Sequence, residues 1–211
     1  MKYKAVIFDL DGVICNTDKY HYQAWMELAE LIGVPFNREI NNKLRGVSRQ
    51  DSLNIILETS NSIYNKKEKE ELADKKNSRY QELLKNMTQN DLAPEVKFVL
   101  KSTKEKGIKV AIGSSSKNAR LILKRLGIEA EFDAISDGNN IRKAKPDPEI
   151  FLKAAALLRV DPKDCLVVED ARAGVEAALL AGMDCAAIGD ATKYGLAHYN
   201  LDSIKDLLEV L

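Results

Sequence analysis

The alternation of apolar and polar positions divides the chain into two kinds of region. Residues 1–15 and 93–211 contain short apolar runs typical of buried strands, with stretches of helical spacing between them. In residues 16–92 helical spacing recurs and no convincing strand is found. Because alternating strands and helices are typical of parallel βαβ units, we predict an α/β fold. Residues 1–15 and 93–211 are predicted to form a Rossmann-like core with a parallel sheet flanked by helices, and residues 16–92 an inserted, all-helical cap domain.

The same patterns predict the individual elements. Strands are expected at residues 4–8, 108–112, 132–135, 165–168 and 185–188. Helices are expected at residues 18–32, from about 48, 66–85, 94–107, 118–126, 148–159, 171–181 and 203–211. Asp18 is predicted to cap the first helix, and Pro94 to occupy the first turn of another. In open α/β sheets ligands bind at the carboxyl ends of the strands, so the inserted helices are expected to act as a lid there.

Composition and charge exclude several classes of protein. Hydrophobic residues make up 45% of the 211 positions and charged residues 30%, which is typical of a folded globular chain. Lysine plus arginine and aspartate plus glutamate both number 32, so no net positive charge favours nucleic acid. No apolar run approaches the length of a membrane span, about 18 residues, and Asp9 lies too early for a signal peptide. The three cysteines are odd in number and lack metal-site spacing, so we expect a cytoplasmic protein without disulfides.

Four polar groups follow the predicted strands of the core. They are Asp9–Gly12, Ser114–Asn118, Lys145–Pro146 and Glu169–Asp170. Because the carboxyl ends of parallel strands meet at one edge of a sheet, these groups are expected to converge there. This joint placement carries more weight than any one group alone.

The acidic side chains of these groups predict a metal site. Asp9 and Asp11 lie two positions apart, so in an extended chain their carboxylates project to the same side. Glu169 and Asp170 add to the repulsion, which a cation relieves. Mg²⁺ together with a substrate phosphate suits such hard oxygen ligands. The alternative is that Asp11-Gly12 forms a hairpin turn, but the segment that follows has helical rather than strand spacing.

Ser114 and Lys145 are candidates for binding a phosphoryl group. Ser114 lies between a predicted strand and a predicted helix, where its hydroxyl and nearby backbone N–H groups can cradle a phosphate. Lys145 precedes Pro146, which favours an extended backbone and keeps the ammonium near the strand ends. Each has a simpler interpretation, which is favoured when the residue is considered alone: an N-capping loop for Ser114 and a solvated lysine for Lys145.

Taken together, these groups resemble the four motifs of the haloacid dehalogenase superfamily. The matching stretches are Phe8-Asp9-Leu10-Asp11-Gly12-Val13, the strand leading to Ser114, Lys145-Pro146-Asp147 and Val168-Glu169-Asp170. The resemblance implies that Asp9 is the nucleophile, which forms a phosphoaspartate, and that Asp11 is the general acid and base. It implies that Ser114 and Lys145 bind the phosphoryl group. Mg²⁺ is then expected to be held by Asp9, Glu169, Asp170 and the backbone carbonyl of Asp11. The second aspartate argues against the dehalogenases themselves, which lack it.

The inserted segment resembles the cap of the sugar phosphomutases in this superfamily. The matching positions are Thr17, His21, Trp25, residues 44–52, Lys76, Asn77 and, in the core, residues 114–118. The resemblance implies that Thr17 and His21 help to position Asp11 as the lid closes. A purely structural role for His21 is the alternative. Trp25 is expected to belong to the apolar core of the cap rather than to a sugar-binding surface.

A phosphomutase must hold a bisphosphorylated sugar at both ends, so the second phosphate needs a cation of its own. Arg49 suits fork-like phosphate binding, although a surface arginine at a helix start is the simpler interpretation. Gly46 and Val47 could offer backbone groups to sugar hydroxyls, and the loop after the second strand could reach the distal phosphate. With the resemblance, the substrate-binding candidates are Arg45, Gly46, Val47, Arg49, Ser52, Lys76, Ser115, Ser116, Lys117 and Asn118.

The resemblance implies the interconversion of β-D-glucose 1-phosphate and D-glucose 6-phosphate through β-glucose 1,6-bisphosphate. It also implies a monomer whose partner is a small sugar phosphate. The balanced charge and the short apolar runs predict no nucleic-acid or membrane partner. Two other functions stay open: a sugar-phosphate phosphatase, in which water accepts the phosphate from Asp9, and a non-catalytic module that binds a phosphosugar or a metal. Residues 45–52 favour the mutase, and the complete set of core residues argues against the non-catalytic module.

Overall fold

The structure is a computed structural model, which describes residues 2–44 and 47–211. Arg45 and Gly46, two of the predicted substrate-binding residues, lie outside the described residues. The chain divides into two compact units. One unit comprises Met1–Asn16 and Met87–Leu211, and the other comprises Thr17–Asn86. No described helix combines the length and the apolar character that crossing a membrane requires.

A six-stranded sheet forms the centre of the first unit. Its strands are β1 Ala5–Phe8, β2 Lys109–Gly113, β3 Ala134–Ser136, β4 Cys165–Glu169, β5 Asp184–Ile188 and β6 Tyr199–Leu201. The order β3-β2-β1-β4-β5-β6, with every pair parallel, places β1 between β2 and β4. Every residue of β1 is buried, as expected for a parallel strand covered on both faces. The predicted α/β fold with a parallel sheet is therefore confirmed.

Helices complete both units. The described α-helices are α1 Asp18–Leu31, α2 Arg38–Asn42, α3 Arg49–Leu57, α4 Lys66–Leu84, α5 Pro94–Glu105, α6 Ala119–Leu126, α7 Glu149–Leu158, α8 Arg172–Leu180 and α9 Leu207–Val210. As predicted, Pro94 begins α5, where its missing N–H breaks no helical hydrogen bond. In the first unit, α7 and α8 supply Phe151 and Ala178 to an apolar cluster with Ile7 and Val167 of the central strands. This cluster anchors the strands whose ends carry the polar groups.

Every secondary-structure element in the described residues of the second unit is a helix. Apolar side chains of α1, α3 and α4, among them Trp25, Leu28, Ile56 and Ala73, form its core. Trp25 is only 3% exposed, so its predicted place in this core is confirmed. The prediction that Asp18 caps α1 is wrong, because Thr17 is the N-cap and Asp18 lies in the first helical turn. A carboxylate in the first turn still complements the helix dipole, which explains the acid at this position.

Candidate active site

The central strands place two acids side by side at the carboxyl edge of the sheet. The pairing register sets Phe8 of β1 level with Ile112 of β2 and with Val168 of β4. Asp9 follows Phe8, and its N–H donates to the carbonyl of Val168 at 2.9 Å. Glu169 follows Val168 at the end of β4. The strand ends therefore bring together Asp9 and Glu169, which are 160 positions apart in the numbering.

Lys145 connects these two acids. Its Nζ donates to Asp9 Oδ1 at 2.6 Å and also to Glu169 Oε1. The three side chains are buried, with at most 11% of any of them exposed. The ammonium also lies 4.7 Å from the ring centre of Phe151, a distance at which the π-electrons attract a cation. The structure thus holds a positive charge directly beside the predicted nucleophile.

The carboxylates of Asp9, Glu169 and Asp170 form a group that could hold a metal ion. One oxygen from each residue lies within 4.8 Å of the others. One ammonium among three carboxylates leaves a surplus of negative charge, which a divalent cation would balance. Because carboxylate oxygens are hard ligands, this set fits Mg²⁺ better than a soft metal.

Burial and mutual repulsion shift the proton affinities of this group. Burial raises the pKa of Asp9 well above its usual range; Lys145 opposes this shift, and the neighbouring carboxylates reinforce it. Burial, followed by the charge of Glu169, raises the pKa of Asp170 to about 7. Burial alone would lower the pKa of Lys145, but Asp9 and Glu169 hold it above its ordinary value. A bound cation would favour the charged carboxylates, so metal binding should release protons from this site.

The chain bends directly after Asp9, which separates the two aspartates of the first motif. Leu10 lies in the bend, and its carbonyl accepts from the N–H of Cys15 at 3.1 Å. The N–H of Gly12 donates back to the carbonyl of Cys15 at 2.7 Å. The extended geometry assumed for Asp9 and Asp11 therefore ends at Asp9. Among the described side chains, the metal-holding set contains Asp9 and does not contain Asp11, whose predicted ligand atom is the backbone carbonyl.

Ser114 lies in a loop that its own hydroxyl groups shape. Ser114 is buried, and its Oγ accepts from the N–H of Ser116 at 3.2 Å. Ser116 Oγ accepts in turn from the N–H of Asn118 at 3.2 Å, just before α6. Since both hydroxyls act as acceptors, the hydrogen of Ser114 stays available to a phosphoryl oxygen. The loop therefore agrees with both interpretations of Ser114, as part of an N-capping loop and as a phosphate-binding residue. Two other residues of this loop, Ser115 and Lys117, are exposed.

The last residue of β3, Ser136, and the loop that follows it, residues 137–140, support the first loop; the sequence analysis does not predict this second loop. Three hydrogen bonds join the loops: Ser114 N–H to Ser136 O at 3.1 Å, Gly138 N–H to Ser116 O at 3.2 Å, and Asn139 Nδ2 to Lys117 O at 2.9 Å. The polar turn after the third strand is the signal that could have identified this loop, because loops after strands line this edge. Phe151 beneath Lys145 carries no such signal, since its sequence pattern is that of a core residue.

In the second unit, the predicted residues His21 and Lys76 form a polar contact. Lys76 Nζ lies 2.8 Å from His21 Nδ1. Because an ammonium can only donate, His21 accepts there and carries its own hydrogen on Nε2. The ring centres of Trp25 and Tyr80 lie 4.6 and 4.7 Å from Lys76 Nζ. The Tyr80 ring also stacks on His21, with ring centres 4.0 Å apart. The N–H of His21 donates to the carbonyl of Thr17 at 3.1 Å, which places the pair at the start of α1.

Arg49 begins α3 in the same unit. Its Nη1 lies 3.8 Å from Asp74 Oδ1, which is a loose ion pair that a phosphate could replace. Burial lowers the pKa of Arg49, so an anionic ligand would stabilise its charge. Val47 is exposed and Ser52 is buried. Of the predicted cap residues, the structure therefore brings His21 and Lys76 into direct contact and leaves Arg49 with a weak partner.

We predict that His21 stays neutral between about pH 8 and about pH 6. Burial lowers the pKa of His21 well below its ordinary value, and the charges of Lys76 and Arg49 add to the shift. A histidine with a depressed folded-state pKa stabilises the fold above its unfolded pKa, about 6.5, and that stability is lost as the pH falls below it. The chain has two histidines, so NMR titration with a His198→Gln variant assigns the His21 signal. A titration midpoint of about 6.5 for His21 would contradict this prediction.

Comparison with known proteins extends these observations. A profile of the haloacid dehalogenase-like hydrolase family matches residues 3–182. Beta-phosphoglucomutase from Bacillus subtilis (strain 168) is 47% identical over 188 residues, which are 88% of this chain and 83% of the relative. A phosphorylated carbohydrates phosphatase from Thermotoga maritima is 34% identical over 98% of this chain and 90% of the relative. The solved structure of beta-phosphoglucomutase from Clostridium difficile has a TM-score of 0.90 and 40% identity, and the match covers 97% of this chain and 93% of that chain.

The matched region contains all four polar groups of the core site. It begins before Asp9 and ends after Asp170. The match therefore includes Asp9, the serine loop, Lys145 and the late acids, together with the inserted helices. The resemblance found in the sequence motifs is confirmed, and the chain belongs to the haloacid dehalogenase-like hydrolase family.

Proposed function

We propose that this chain is a Mg²⁺-dependent phosphomutase, which interconverts β-D-glucose 1-phosphate and D-glucose 6-phosphate through β-glucose 1,6-bisphosphate. The observation that carries the proposal is the Lys145 ammonium bonded to Asp9 beside a set of carboxylates able to hold a metal. The relatives from B. subtilis and C. difficile are named as beta-phosphoglucomutases. Their similarity favours the mutase among the phosphoryl transfers that such a site can perform.

In the proposed reaction, a carboxylate oxygen of Asp9 attacks the phosphorus of the bisphosphate ester, and the bond from phosphorus to the sugar oxygen breaks. Asp11 gives its proton to the leaving oxygen, so the products are a sugar hydroxyl and a phosphoaspartate. In the return step, a hydroxyl at the other end of a sugar monophosphate attacks the phosphoaspartate. Asp11 takes the proton of that hydroxyl, and the Asp9 carboxylate is restored.

The remaining core residues are proposed to stabilise the transferring group. Lys145 places a positive charge beside the phosphoryl oxygens, and the Ser114 hydroxyl donates a hydrogen bond to one of them. The proposed ligands of Mg²⁺ are Asp9, Glu169, Asp170 and the backbone carbonyl of Asp11. When bound, the cation would neutralise charge on the phosphoryl group as it moves between oxygens.

The second unit is proposed to act as a lid and to bind the substrate. Arg49 is the proposed partner of the second phosphate, because its contact with Asp74 is loose. Thr17 and His21 are proposed to position Asp11 when the lid closes, which would keep water away from the phosphoaspartate. The other proposed substrate contacts are Arg45, Gly46, Val47, Ser52, Lys76, Ser115, Ser116, Lys117 and Asn118.

A sugar-phosphate phosphatase is the second candidate, favoured by the 34% identity to the T. maritima phosphatase. It would use the same core residues, with water in place of the sugar hydroxyl as the acceptor. The two reactions therefore differ in whether water reaches the phosphoaspartate. Only an assay that follows both products can distinguish them.

We expect β-D-glucose 1-phosphate, Mg²⁺ and a trace of the bisphosphate to yield D-glucose 6-phosphate with the protein. The sugar product is measured with a coupled dehydrogenase, and inorganic phosphate is measured in the same sample. The α anomer, run in parallel, serves as the matched substrate control and should give much slower turnover. Release of inorganic phosphate without glucose 6-phosphate would refute the mutase and support the phosphatase.

A further inference from the structure

Each of the two late acids lies against a glycine. A Cβ atom placed on Gly174 would be 1.9 Å from Oε1 and 2.0 Å from Cδ of Glu169. A Cβ atom placed on Gly12 would be 1.9 Å from Oδ2 of Asp170. Non-bonded heavy atoms attract best at about 3.5 to 4.0 Å and repel strongly below that range. No other amino acid therefore fits at either position while the two carboxylates keep their places.

Glu169 cannot move aside without losing contacts. Its carboxylate is 1% exposed and is bonded at both oxygens. Lys145 donates to Oε1, and the N–H of Ala171 donates to Oε2 at 3.0 Å. Any rotation that clears a Cβ on Gly174 would break one of these bonds and shift the carboxylate relative to Asp9.

Gly174 lies in the first turn of α8, within ordinary helical backbone. Glycine is less favourable than alanine inside a helix, so local propensity does not explain its presence. The positive end of the helix dipole attracts a carboxylate. The bare backbone at Gly174 lets the Glu169 carboxylate approach this helix end closely.

We propose that Gly174 is a positioning residue: the space left by its missing Cβ keeps the Glu169 carboxylate among the oxygens that hold the divalent cation. This inference rests on the proposed function, because it takes Glu169 as a metal ligand. Gly12 has the same relation to Asp170, but its φ of 93° makes every substitution strained. Gly174 is therefore the position where the close packing of a carboxylate against glycine can be tested without backbone strain.

The test is the affinity for Mn²⁺, used as a probe in place of Mg²⁺ and measured by isothermal titration calorimetry. Gly174→Ala should weaken Mn²⁺ binding by about 10- to 100-fold, as is usual when a group that orients a metal ligand is lost. Arg172→Ala changes an exposed residue of the same helical turn and should leave the affinity unchanged. Far-UV circular dichroism verifies the fold of each variant. Wild-type affinity in Gly174→Ala would overturn the proposal.

The Glu169→Asp variant provides a second test, which isolates the contact between Gly174 and the Glu169 carboxylate. In Glu169→Asp the shorter side chain withdraws the carboxylate from Gly174, so adding Gly174→Ala should change Mn²⁺ affinity by less than about threefold. If Gly174→Ala alone does not fold, the double variant should still fold and bind Mn²⁺ as Glu169→Asp does. Equal losses in the two backgrounds, or a double variant that fails to fold, would overturn the proposal.

Failure of this inference is distinguishable from failure of the proposed function, because Mn²⁺ binding requires no turnover. A wild-type protein that binds Mn²⁺ and forms no glucose 6-phosphate contradicts the mutase alone, and the comparison of Gly174 variants keeps its meaning. An active wild-type protein whose Gly174→Ala variant binds Mn²⁺ equally well contradicts the inference alone.

Discussion

The Asp9→Asn variant is expected to lose at least about 10⁴-fold in kcat in the coupled mutase assay. Asparagine has nearly the shape of aspartate, but it lacks the charged oxygen that is proposed to attack phosphorus. The site should stay assembled, because the amide oxygen of asparagine can accept from Lys145 as Asp9 Oδ1 does. Lys145 also keeps its bond to Glu169. We therefore expect lost activity with an unchanged midpoint of urea unfolding.

Two controls separate loss of the nucleophile from a general loss of negative charge. Asp202→Asn makes the same chemical change at an exposed aspartate and should leave kcat unchanged. Wild-type protein incubated with the bisphosphate and quenched in acid should gain the mass of one phosphoryl group, and Asp9→Asn should not. Turnover by Asp9→Asn within about tenfold of wild type would remove Asp9 from the role of nucleophile.

The core of the site could be predicted because it depends on local patterns. Ala5–Phe8 and Cys165–Glu169 are apolar runs next to acids, and parallel pairing then brings their carboxyl ends to one edge. The order of the strands is not predicted from the sequence. The site depends on that order only through the central place of β1, between β2 and β4.

Short elements with few buried residues could not be predicted. The patterns miss α2, which buries none of its residues, and β6, which buries one residue of three. Neither is long enough for helical or alternating spacing to stand out. The strand predicted at residues 132–135 lies at Ala134–Ser136, because the buried, apolar Phe132 resembles a strand residue in the sequence.

Contacts between distant residues also could not be predicted from spacing. Lys76 and His21 are separated by 55 positions, and Lys145 and Asp9 by 136 positions. The family resemblance identifies these residues individually, but it does not show that Lys76 donates to His21. In the sequence, Gly174 likewise lies at an ordinary helical position. Only the structure shows that the Glu169 carboxylate packs against it.

Lys145→Met is expected to destabilise the fold by about 3 kcal/mol at about pH 8 when no divalent metal is present. Methionine retains much of the length and apolar stem of lysine, so the main loss is the charge. The buried carboxylates of Asp9 and Glu169 would then lack the ammonium that now bonds to both. We also expect kcat to fall by at least about 10²-fold, because the charge proposed to stabilise the transferring phosphoryl group is removed.

The pH dependence of this destabilisation follows from the acids. The pKa of Lys145 is held above its ordinary value, so its charge is constant from about pH 5 to about pH 8. Burial raises the pKa of Asp9 well above its usual range and that of Asp170 to about 7. Both acids therefore bind protons more tightly in the folded chain than in the unfolded chain. Their ionisation lowers the free energy of unfolding, and it does so increasingly as the pH rises. Without the lysine these pKa values rise further, so the variant should be weakest at about pH 8 and recover towards about pH 5.

Urea unfolding at about pH 5 and about pH 8, with EDTA or with Mg²⁺, measures this effect. Because a divalent cation replaces the missing positive charge, Mg²⁺ should raise the unfolding midpoint more in Lys145→Met than in wild type. Lys163→Met makes the same change at an exposed lysine and should show neither response. Equal destabilisation of Lys145→Met at both pH values would mean that lost packing, rather than unbalanced carboxylates, causes the effect, and the electrostatic role assigned to Lys145 would then be wrong.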